Sequence, residues 1–259
     1  MGPILEIKGV SKSFEGVLAL NNLDVEVSEG EIRAIIGPNG SGKTTLINVI
    51  TGVFPATSGR IIFKGQDITG LSPFRIARKG ITRTFQNLRL FPSLTVLEHV
   101  LAAQHHRSRV GFWGSVFSTR SGRAEEEGMV SRAQEILEFV GLKGRADMPG
   151  LGLPYGQRRL LEIARALATG PELLLLDEPA AGLSSEEIQA LERLLREIRS
   201  RGITVILVEH RMMLVMNVAD RITVLNYGEK IAEGKPAEIK NNPEVIQAYL
   251  GRAYAAAGS

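Results

Sequence analysis

The chain has 259 residues, a hydrophobic fraction of 44% and a formal net charge of +3. These values are typical of one large globular domain and exclude disordered and fibrous classes. The small net charge does not favour nucleic-acid binding, which usually needs a clustered basic face. Because cysteine is absent, disulfides and cysteine-ligated metal sites are excluded.

The sequence also lacks the features that direct a chain into a membrane. It has no run of about 18 uncharged apolar residues, the length that a membrane-spanning helix needs. Its first residues, Met1 to Lys8, lack the basic start and long apolar stretch of a signal peptide. We therefore expect membrane association only through a protein partner.

The N-terminal part is predicted to form short strands. Residues Ile4–Val10 and Leu23–Val27 alternate apolar and polar side chains, as half-buried antiparallel strands do. Ile61–Phe63 is a further short strand. Between them an apolar run, Ile32–Ile36, is followed after a short loop by a helical pattern, Thr44–Ile50.

That loop fits G-x-x-x-x-G-K-[ST], the phosphate-binding P-loop. Its residues are Gly37, Pro38, Asn39, Gly40, Ser41, Gly42, Lys43, Thr44 and Thr45. The glycines allow backbone N–H groups to surround a polyphosphate, and the helix N-terminus adds positive charge. Lys43 is predicted to reach the β- and γ-phosphates, and the Thr44 hydroxyl to ligate Mg²⁺.

The middle and the end of the chain differ in character. The middle is rich in helix, with helical spacing of apolar residues over Val96–Gln104 and Ala124–Val140 and an irregular region over His105–Gly122. Alternating strands and helices then return. The apolar runs Leu173–Leu176 and Ile203–Val208 are typical of strands buried on both faces.

The helices that follow those two strands are predicted at Ser185–Arg201 and Arg211–Val218. We expect an α/β fold in which residues 1–87 and 169–259 form a nucleotide-binding core with an antiparallel β subdomain. A helical subdomain, residues 88–168, is inserted into that core.

Two carboxylates follow the apolar strand Leu173–Leu176, namely Asp177 and Glu178. Asp177 at the strand end is predicted to hold Mg²⁺, usually through water. Glu178 points elsewhere and is predicted to polarise the attacking water as the general base.

The segment Leu153–Gln157 precedes a helical pattern, Leu160–Ala168. It resembles the signature loop of ATP-binding cassette (ABC) ATPases, normally Leu-Ser-Gly-Gly-Gln. The order of P-loop, signature, Asp177-Glu178-Pro179 and the later His210 is specific to that family, and the resemblance covers essentially the whole chain.

The resemblance implies roles for further residues. Phe14 would stack on adenine, and Gln86 would contact Mg²⁺ and the attacking water. His210 would sense the γ-phosphate. Ala181–Ser184 would cross a dimer interface.

The same resemblance implies that Tyr155, Gly156 and Gln157 bind the nucleotide of a second subunit. The sequence departs from the family pattern at Pro154 and Tyr155, which replace the signature serine and its first glycine, so that a serine hydroxyl contact is lost. Ser184 and Arg211 stand where related chains usually have Asp.

The variant signature Tyr155-Gly156-Gln157 and four further segments narrow the resemblance to the ATPase subunit of branched-chain amino acid importers, whose close relatives import urea or short amides. The four segments are Gly80–Phe91, Glu178–Leu183, Val208–Met216 and Asn242–Gly251. An ATPase subunit does not touch the transported molecule, so the substrate rests wholly on this resemblance.

The expected assembly is a head-to-tail pair of ATPase subunits, in which each ATP lies between one subunit's P-loop and the partner's signature segment. Its partners would be a second ABC ATPase, identical or related, and integral-membrane permease subunits, with an external solute-binding protein acting indirectly and no nucleic acid. The chain would be cytoplasmic and peripheral on the inner face of the membrane. Apolar side chains between Gln86 and Leu97 would contact the permease or simply pack within the helical subdomain.

Three rival functions stay open at this point. An exporter or lipid-transport ATPase would be enzymatically identical. A soluble ABC protein of translation or DNA repair usually has two cassettes or a long coiled-coil insertion. A P-loop kinase or GTPase is disfavoured by Leu153–Gln157, by His210 and by the lack of a guanine-reading Asn-Lys-x-Asp motif.

Overall fold

The computed structural model describes residues 2–84, 90–104 and 120–249, with the backbone alone for 120–126. The chain divides into two compact units. The first comprises Met1–Arg83, Glu172–Ala181 and Ile188–Ser259, and the second comprises Thr84–Pro171 and Gly182–Glu187. Within the described ranges, no helix has the length and apolarity needed to cross a membrane.

The strands all belong to the first unit. They are β1 (Leu5–Phe14), β2 (Val17–Val27), β3 (Ile32–Ile36), β4 (Ser58–Phe63), β5 (Gln66–Asp67), β6 (Ile81–Arg83), β7 (Leu173–Asp177), β8 (Thr204–Val208), β9 (Arg221–Asn226) and β10 (Glu229–Gly234).

The helices are named in the same way. They are α1 (Lys43–Ile50), α2 (Pro73–Arg78), α3 (Val96–Gln104), α4 (Arg120–Phe139), α5 (Tyr155–Ala168), α6 (Ser185–Ser200), α7 (Met212–Val218) and α8 (Pro236–Lys240), with a 3₁₀ turn at Gly150–Gly152.

Two sheets build the first unit. An antiparallel sheet has the order β2-β1-β4-β5, and a six-stranded sheet has the order β10-β9-β3-β8-β7-β6. In the second sheet β9, β3, β8, β7 and β6 are parallel, and β10 pairs antiparallel with β9. The carboxyl ends of parallel strands lie at one edge, which is where ligands bind in open α/β sheets.

Helix α1 contributes to the core that both sheets share. Its Leu46, Ile47 and Ile50 belong to one apolar cluster with residues of β1, β2 and β4 and with residues of β7 and β8. A second cluster joins Ala34 of β3 to Val215 of α7 and to residues of β9 and α8. Fully burying such a side chain contributes about 1.5–3 kcal/mol, so α1 and the loop before it are held by packing.

One charged side chain lies inside the apolar strand β3. Arg33 is 1% exposed. Its guanidinium contacts Glu31 and Glu233, each at 2.8 Å, and donates to the Glu26 carbonyl at 2.7 Å. A buried charge requires such partners. Burial raises the pKa of Glu233, but the hydrogen bond and the positive charge of Arg33 outweigh burial and hold that pKa below its usual range.

The second unit contains α3, α4 and α5, which pack against one another. His99 of α3 is 1% exposed. Its Nδ1 lies 2.7 Å from the Thr95 carbonyl, and its Nε2 accepts the Phe91 N–H at 2.9 Å. One nitrogen donates and the other accepts, which fixes a neutral ring in one tautomer.

The predicted fold class is confirmed: a P-loop α/β core with an antiparallel sheet and a helical block. One boundary differs. Helix α5 begins at Tyr155 and not at Leu160, so Tyr155–Gln157 form its first turn and not a loop. Pro154 precedes that turn, where its fixed φ suits helix entry. Of the region His105–Gly122, residues 105–119 lie outside the described residues, and α4 begins at Arg120.

Candidate nucleotide site

The P-loop connects β3 to α1, and its glycines are required by close backbone contacts. Gly37 has φ +150°, and a Cβ there would lie 2.1 Å from the Leu225 carbonyl oxygen of β9. Gly42 has φ +103°, and its Cβ would lie 2.7 Å from the Ala19 carbonyl oxygen of β2. Main-chain atoms of two strands therefore permit only glycine at these positions.

The ammonium group of Lys43 lies inside this loop. Nζ donates to the carbonyl oxygens of Gly37 at 2.8 Å and Pro38 at 2.9 Å, and lies 3.4 Å from Ser41 Oγ. The Gly228 N–H, from the turn between β9 and β10, donates to the Ser41 carbonyl at 3.0 Å. The loop thus combines a fixed cation with the positive N-terminal end of α1, which together attract an anion.

A cavity of about 400 Å³ opens over the loop. Its lining consists of Val17, Leu18, Ala19, Gly40, Ser41, Gly42, Lys43, Thr44, Thr45 and Tyr227. Val17 and Tyr227 are apolar or aromatic side chains left 69% and 70% exposed. A basic floor beside an exposed apolar wall fits a ligand with a polyphosphate and a flat ring, as a nucleotide has. This apolar wall consists of Val17, Leu18 and Tyr227, and no sequence motif marks these residues.

Phe14 lies at the end of β1 and is 37% exposed. Its ring packs edge-to-face on Phe54, with centroids 5.2 Å apart, and Lys12 Nζ lies 4.8 Å from its centroid. It is not among the residues that line the cavity described above. The adenine-stacking role stays a prediction for Phe14.

A carboxylate and an imidazole meet where β7 and β8 end. Glu178 follows β7 and His210 follows β8, and Glu178 Oε1 lies 2.8 Å from His210 Nε2. The two residues are neighbours because Asp177 of β7 pairs with Val208 of β8. The Glu178 N–H also donates to the Val208 carbonyl at 2.9 Å. Glu178 has φ +50°, a left-handed conformation that costs a non-glycine residue about 1–2 kcal/mol.

Asp177 is the buried carboxylate of the site. It is 2% exposed, and its Oδ2 lies 3.3 Å from Arg83 Nη2. The pKa of Asp177 is raised, chiefly by burial and also by the negative charge of Glu178. The positive charge of Arg83 lowers this pKa most strongly, and Lys43 and His210 lower it further. Asp177 is therefore within electrostatic reach of both the P-loop and the Glu178–His210 pair. Arg83 was missed from the sequence because its partner is 94 positions away.

The signature residues form the first turn of α5 in the second unit. Arg159 Nη2 donates to the Tyr155 hydroxyl at 3.0 Å, and the Tyr155 ring packs on Gly182. A Cβ on Gly156 would lie 2.0 Å from Glu187 Oε1. Gln157 Oε1 is buried and has no hydrogen-bond partner among the residues that the structure describes. Gln86 lies outside the described residues.

Two family models match the chain. A model described as "ABC transporter" matches residues 20–181. The chain belongs to the ABC transporter family. A second model, described as "Branched-chain amino acid ATP-binding cassette transporter", matches residues 229–255.

Individual relatives agree with the family. The "High-affinity branched-chain amino acid transport ATP-binding protein LivG" of Escherichia coli (strain K12) is 45% identical over 252 residues, which cover 97% of this chain and 99% of that protein. A crystal structure of the ADP conformation of an ATP-binding cassette is 36% identical with a TM-score of 0.85, over 97% of this chain and 100% of that one.

A third relative was solved as a dimer. It is a post-hydrolysis state of an ATP-binding cassette bound to ADP and Pi, 30% identical with a TM-score of 0.76, over 90% of this chain and 98% of that chain. Our ABC cassette is therefore a nucleotide-binding ATP hydrolase.

Proposed function

We propose that this cassette is the ATP-hydrolysing subunit that powers a membrane importer of branched-chain amino acids. The observation that carries the chemistry is the 2.8 Å contact between Glu178 Oε1 and His210 Nε2 at the sheet edge that also carries the P-loop. The substrate class is supported by the name of the 45% identical E. coli relative and by the model matched at residues 229–255.

Each residue of this edge has a distinct task. Glu178 accepts a proton from the attacking water as general base. His210 donates a hydrogen bond to the Glu178 carboxylate and so fixes which way that carboxylate faces. Lys43 holds the β- and γ-phosphates, and the exposed apolar wall of the cavity contacts the nucleobase of ATP.

The residues fit a magnesium ion. The described residues contain no cluster of three His, Cys, Asp or Glu that would hold a metal alone. Mg²⁺ is usually held by one or two protein oxygens together with substrate phosphates, and Thr44 and Asp177 supply oxygens of that kind. When bound, the ion neutralises phosphate charge. Gln86 stays a predicted further ligand.

A second cassette completes the site in this proposal. The dimeric structure of the relative bound to ADP and Pi supports such a pair. Tyr155, Gly156 and Gln157 would then contact the nucleotide held by the partner's P-loop. Pro154 offers no hydroxyl there, so the helix N-terminus of α5 and the polar groups of Tyr155 and Gln157 take its place.

The remaining partners follow from the transporter role. The cassette would lie on the cytoplasmic face of the membrane, bound to permease subunits, and an external solute-binding protein would deliver the amino acid. ATP binding would favour the closed pair by differential affinity, and hydrolysis would remove the bridging phosphate.

Pairing and hydrolysis are tested with Glu178→Gln, whose amide keeps the shape of the carboxylate but cannot act as a base. We expect turnover to fall by at least ~100-fold. We also expect a stable dimer by multi-angle light scattering with ATP and EDTA, and a monomer with ADP. Glu197→Gln, on the exposed surface of α6, is the matched control. Unchanged turnover in Glu178→Gln would refute the assignment of the base.

The substrate class needs a transport assay. Uptake of radiolabelled leucine, isoleucine and valine is compared in cells that carry the wild-type cassette and in cells that carry Glu178→Gln, with urea and acetamide in parallel. Loss of leucine uptake alone supports the proposal. Loss of urea or amide uptake with normal leucine uptake would reassign the cargo while leaving the ATPase role intact.

A further inference from the structure

A carboxylate beside the catalytic pair has no role in the reaction described so far. Glu209 lies between the end of β8 and His210 and is 2% exposed. Burying a carboxylate is unfavourable unless hydrogen bonds replace its water. The site therefore contains a buried acidic group that touches neither the P-loop lysine nor the cavity, and its partners explain what it does.

Those partners are three backbone N–H groups. The Ala180 N–H donates to Glu209 Oε1 at 2.7 Å. The His210 N–H donates to Oε2 at 3.0 Å, and the Arg211 N–H donates to the same oxygen at 3.3 Å. Hydrogen bonds to an ionised acceptor are the stronger kind, roughly twice a neutral bond.

The two oxygens hold two different segments. Oε1 holds the segment that follows Glu178, and Oε2 holds the turn that carries His210. Each segment bears one member of the pair whose side chains meet at 2.8 Å. One carboxylate thus connects the backbone beneath the proposed base to the backbone beneath its histidine.

The Glu178 backbone needs such a support. Its left-handed φ of +50° is unfavourable for a residue with a Cβ, and a strained conformation persists only where surrounding contacts enforce it. The Glu178 N–H is held by Val208, and the Ala181 N–H donates to the Glu178 carbonyl at 3.2 Å. The hydrogen bond from the Ala180 N–H to Glu209 fixes one of the two residues between Glu178 and Ala181.

We propose that Glu209 is a positioning residue for ATP hydrolysis, which sets the approach of Glu178 to His210 by holding both backbone segments. This inference rests on the proposed function, since it assigns a task relative to the proposed base. Glu209 contacts neither nucleotide nor water in this scheme and acts only through the pair.

Glu209→Gln tests the idea with almost no change of volume. A glutamine has one oxygen acceptor, and its NH₂ group would face a backbone N–H that also donates. It can therefore hold the Ala180 segment or the His210 turn, but not both. Glu209→Asp is the second variant: it keeps the charge and both oxygens but is shorter by one methylene, so it also fails to span the two segments.

The expected result is a separation of catalysis from binding. In single-turnover assays with radiolabelled ATP, hydrolysis by Glu209→Gln should fall about 10- to 100-fold, because a small misplacement of a catalytic group has effects of that size. The Kd for ATP should stay within twofold, since the P-loop is untouched. Glu197→Gln on α6 again serves as control.

A double-mutant cycle separates positioning from general stabilisation. His210→Ala removes one member of the pair. If Glu209 acts through the pair, adding Glu209→Gln to His210→Ala should lower the rate by less than about twofold further. An equal fold-loss in both backgrounds, or a Kd for ATP that rises with the loss of rate, would overturn the proposal.

The outcomes distinguish this inference from the function on which it rests. If Glu178→Gln keeps full turnover, the proposed base itself is wrong. If Glu178→Gln is inactive while Glu209→Gln and Glu209→Asp hydrolyse ATP normally, only the role of Glu209 is wrong. Thermal unfolding of each variant shows which is folded, and the cycle is carried out with the glutamine or, if that variant is unfolded, with the aspartate.

Discussion

The P-loop (Gly37–Thr45) and the signature turn (Pro154–Gln157) both depend on glycine, but different atoms enforce it. At Gly37 the space for a Cβ is taken by a main-chain carbonyl, 2.1 Å away. At Gly156 it is taken by the end of the Glu187 side chain, 2.0 Å away. The P-loop is therefore shaped by the backbone of neighbouring strands, whereas the signature turn is shaped by side chains that can move.

The same difference separates a segment that fits its motif from one that does not. The P-loop fits G-x-x-x-x-G-K-[ST], and a Cβ at Gly37 or Gly42 would meet the main chain of β9 or β2. The signature turn departs at Pro154 and Tyr155, and its packing is provided by the Tyr155 ring against Gly182 and by Arg159 bonded to the Tyr155 hydroxyl. Side-chain packing allows such substitutions to be compensated locally.

The largest expected effect comes from Gly37→Ala. The new methyl group would meet the Leu225 carbonyl and Ser41 Oγ, at 2.1 and 2.6 Å, so β9 or the loop must shift. We expect the free energy of unfolding in urea to fall by more than about 3 kcal/mol and binding of a fluorescent ATP analogue to be lost.

Gly40→Ala is the matched control in the same loop. Gly40 also has a left-handed φ, +71°, but nothing lies within 4 Å of its Cβ position. The expected loss of stability is only the conformational cost of about 1–2 kcal/mol. Equal losses in the two variants would show that the backbone contact at Gly37 is not what fixes the loop.

Gly156→Ala should have a much smaller effect on stability. The methyl group displaces Glu187, which accepts the Ser184 N–H at 2.8 Å, while alanine in a helix gains up to about 1 kcal/mol over glycine. We expect the free energy of unfolding to change by less than about 1 kcal/mol, but ATP-dependent pairing in the Glu178→Gln background to weaken.

Gly152→Ala, with open space at its Cβ position, is the control for that measurement. Light scattering against ATP concentration gives the pairing, and urea unfolding gives the stability. A destabilisation as large as that of Gly37→Ala would abolish the contrast between the two regions.

The smallest expected effect is a pH dependence confined to the second unit. The pKa of His99 is lowered, chiefly by burial and also by the positive charge of Arg165. The hydrogen bond to the Thr95 carbonyl and the charge of Glu98 raise this pKa, but by less. In the unfolded chain the pKa of His99 is about 6.5. As the pH falls below this value, the unfolded chain binds a proton that folded His99 does not yet bind. The free energy of unfolding therefore falls as the pH falls from about 6.5 toward the pKa of folded His99.

Hydrogen exchange of α3 amides between pH 7.5 and 5.5 measures this effect after correction for the intrinsic exchange rate. In the wild type we expect protection to decrease toward the acid end. His99→Gln removes the titrating ring and should flatten the profile. Parallel profiles in the two proteins would assign the pH dependence to other groups.

Local pattern predicted the features that depend on neighbouring residues. The apolar runs of β3, β7 and β8 and the glycine spacing of the P-loop are visible in short windows, and the α/β fold was confirmed. The contacts that shape the site are not local. Leu225 against Gly37, Arg83 with Asp177, and Glu209 with Ala180 join distant positions, and no periodicity indicates them.

The functional roles depend on both kinds of information. The Glu178–His210 contact brings together two residues that the sequence nominated separately, while Val17, Leu18 and Tyr227 were missed because isolated apolar residues in hairpins have no motif. Gln86 and Phe14 stay predictions that rest on family resemblance.

The strand order has a consequence for how the protein is made. Among the described strands, β3 pairs with β8 and β9 alone. The ribosome must therefore add roughly 170 residues after β3 before its first partner exists, about 10–30 s of synthesis at typical rates. During that interval the Ile32–Ile36 segment and the P-loop have no sheet to join. We expect nascent chains truncated before Thr204 to depend on a chaperone that shields this strand.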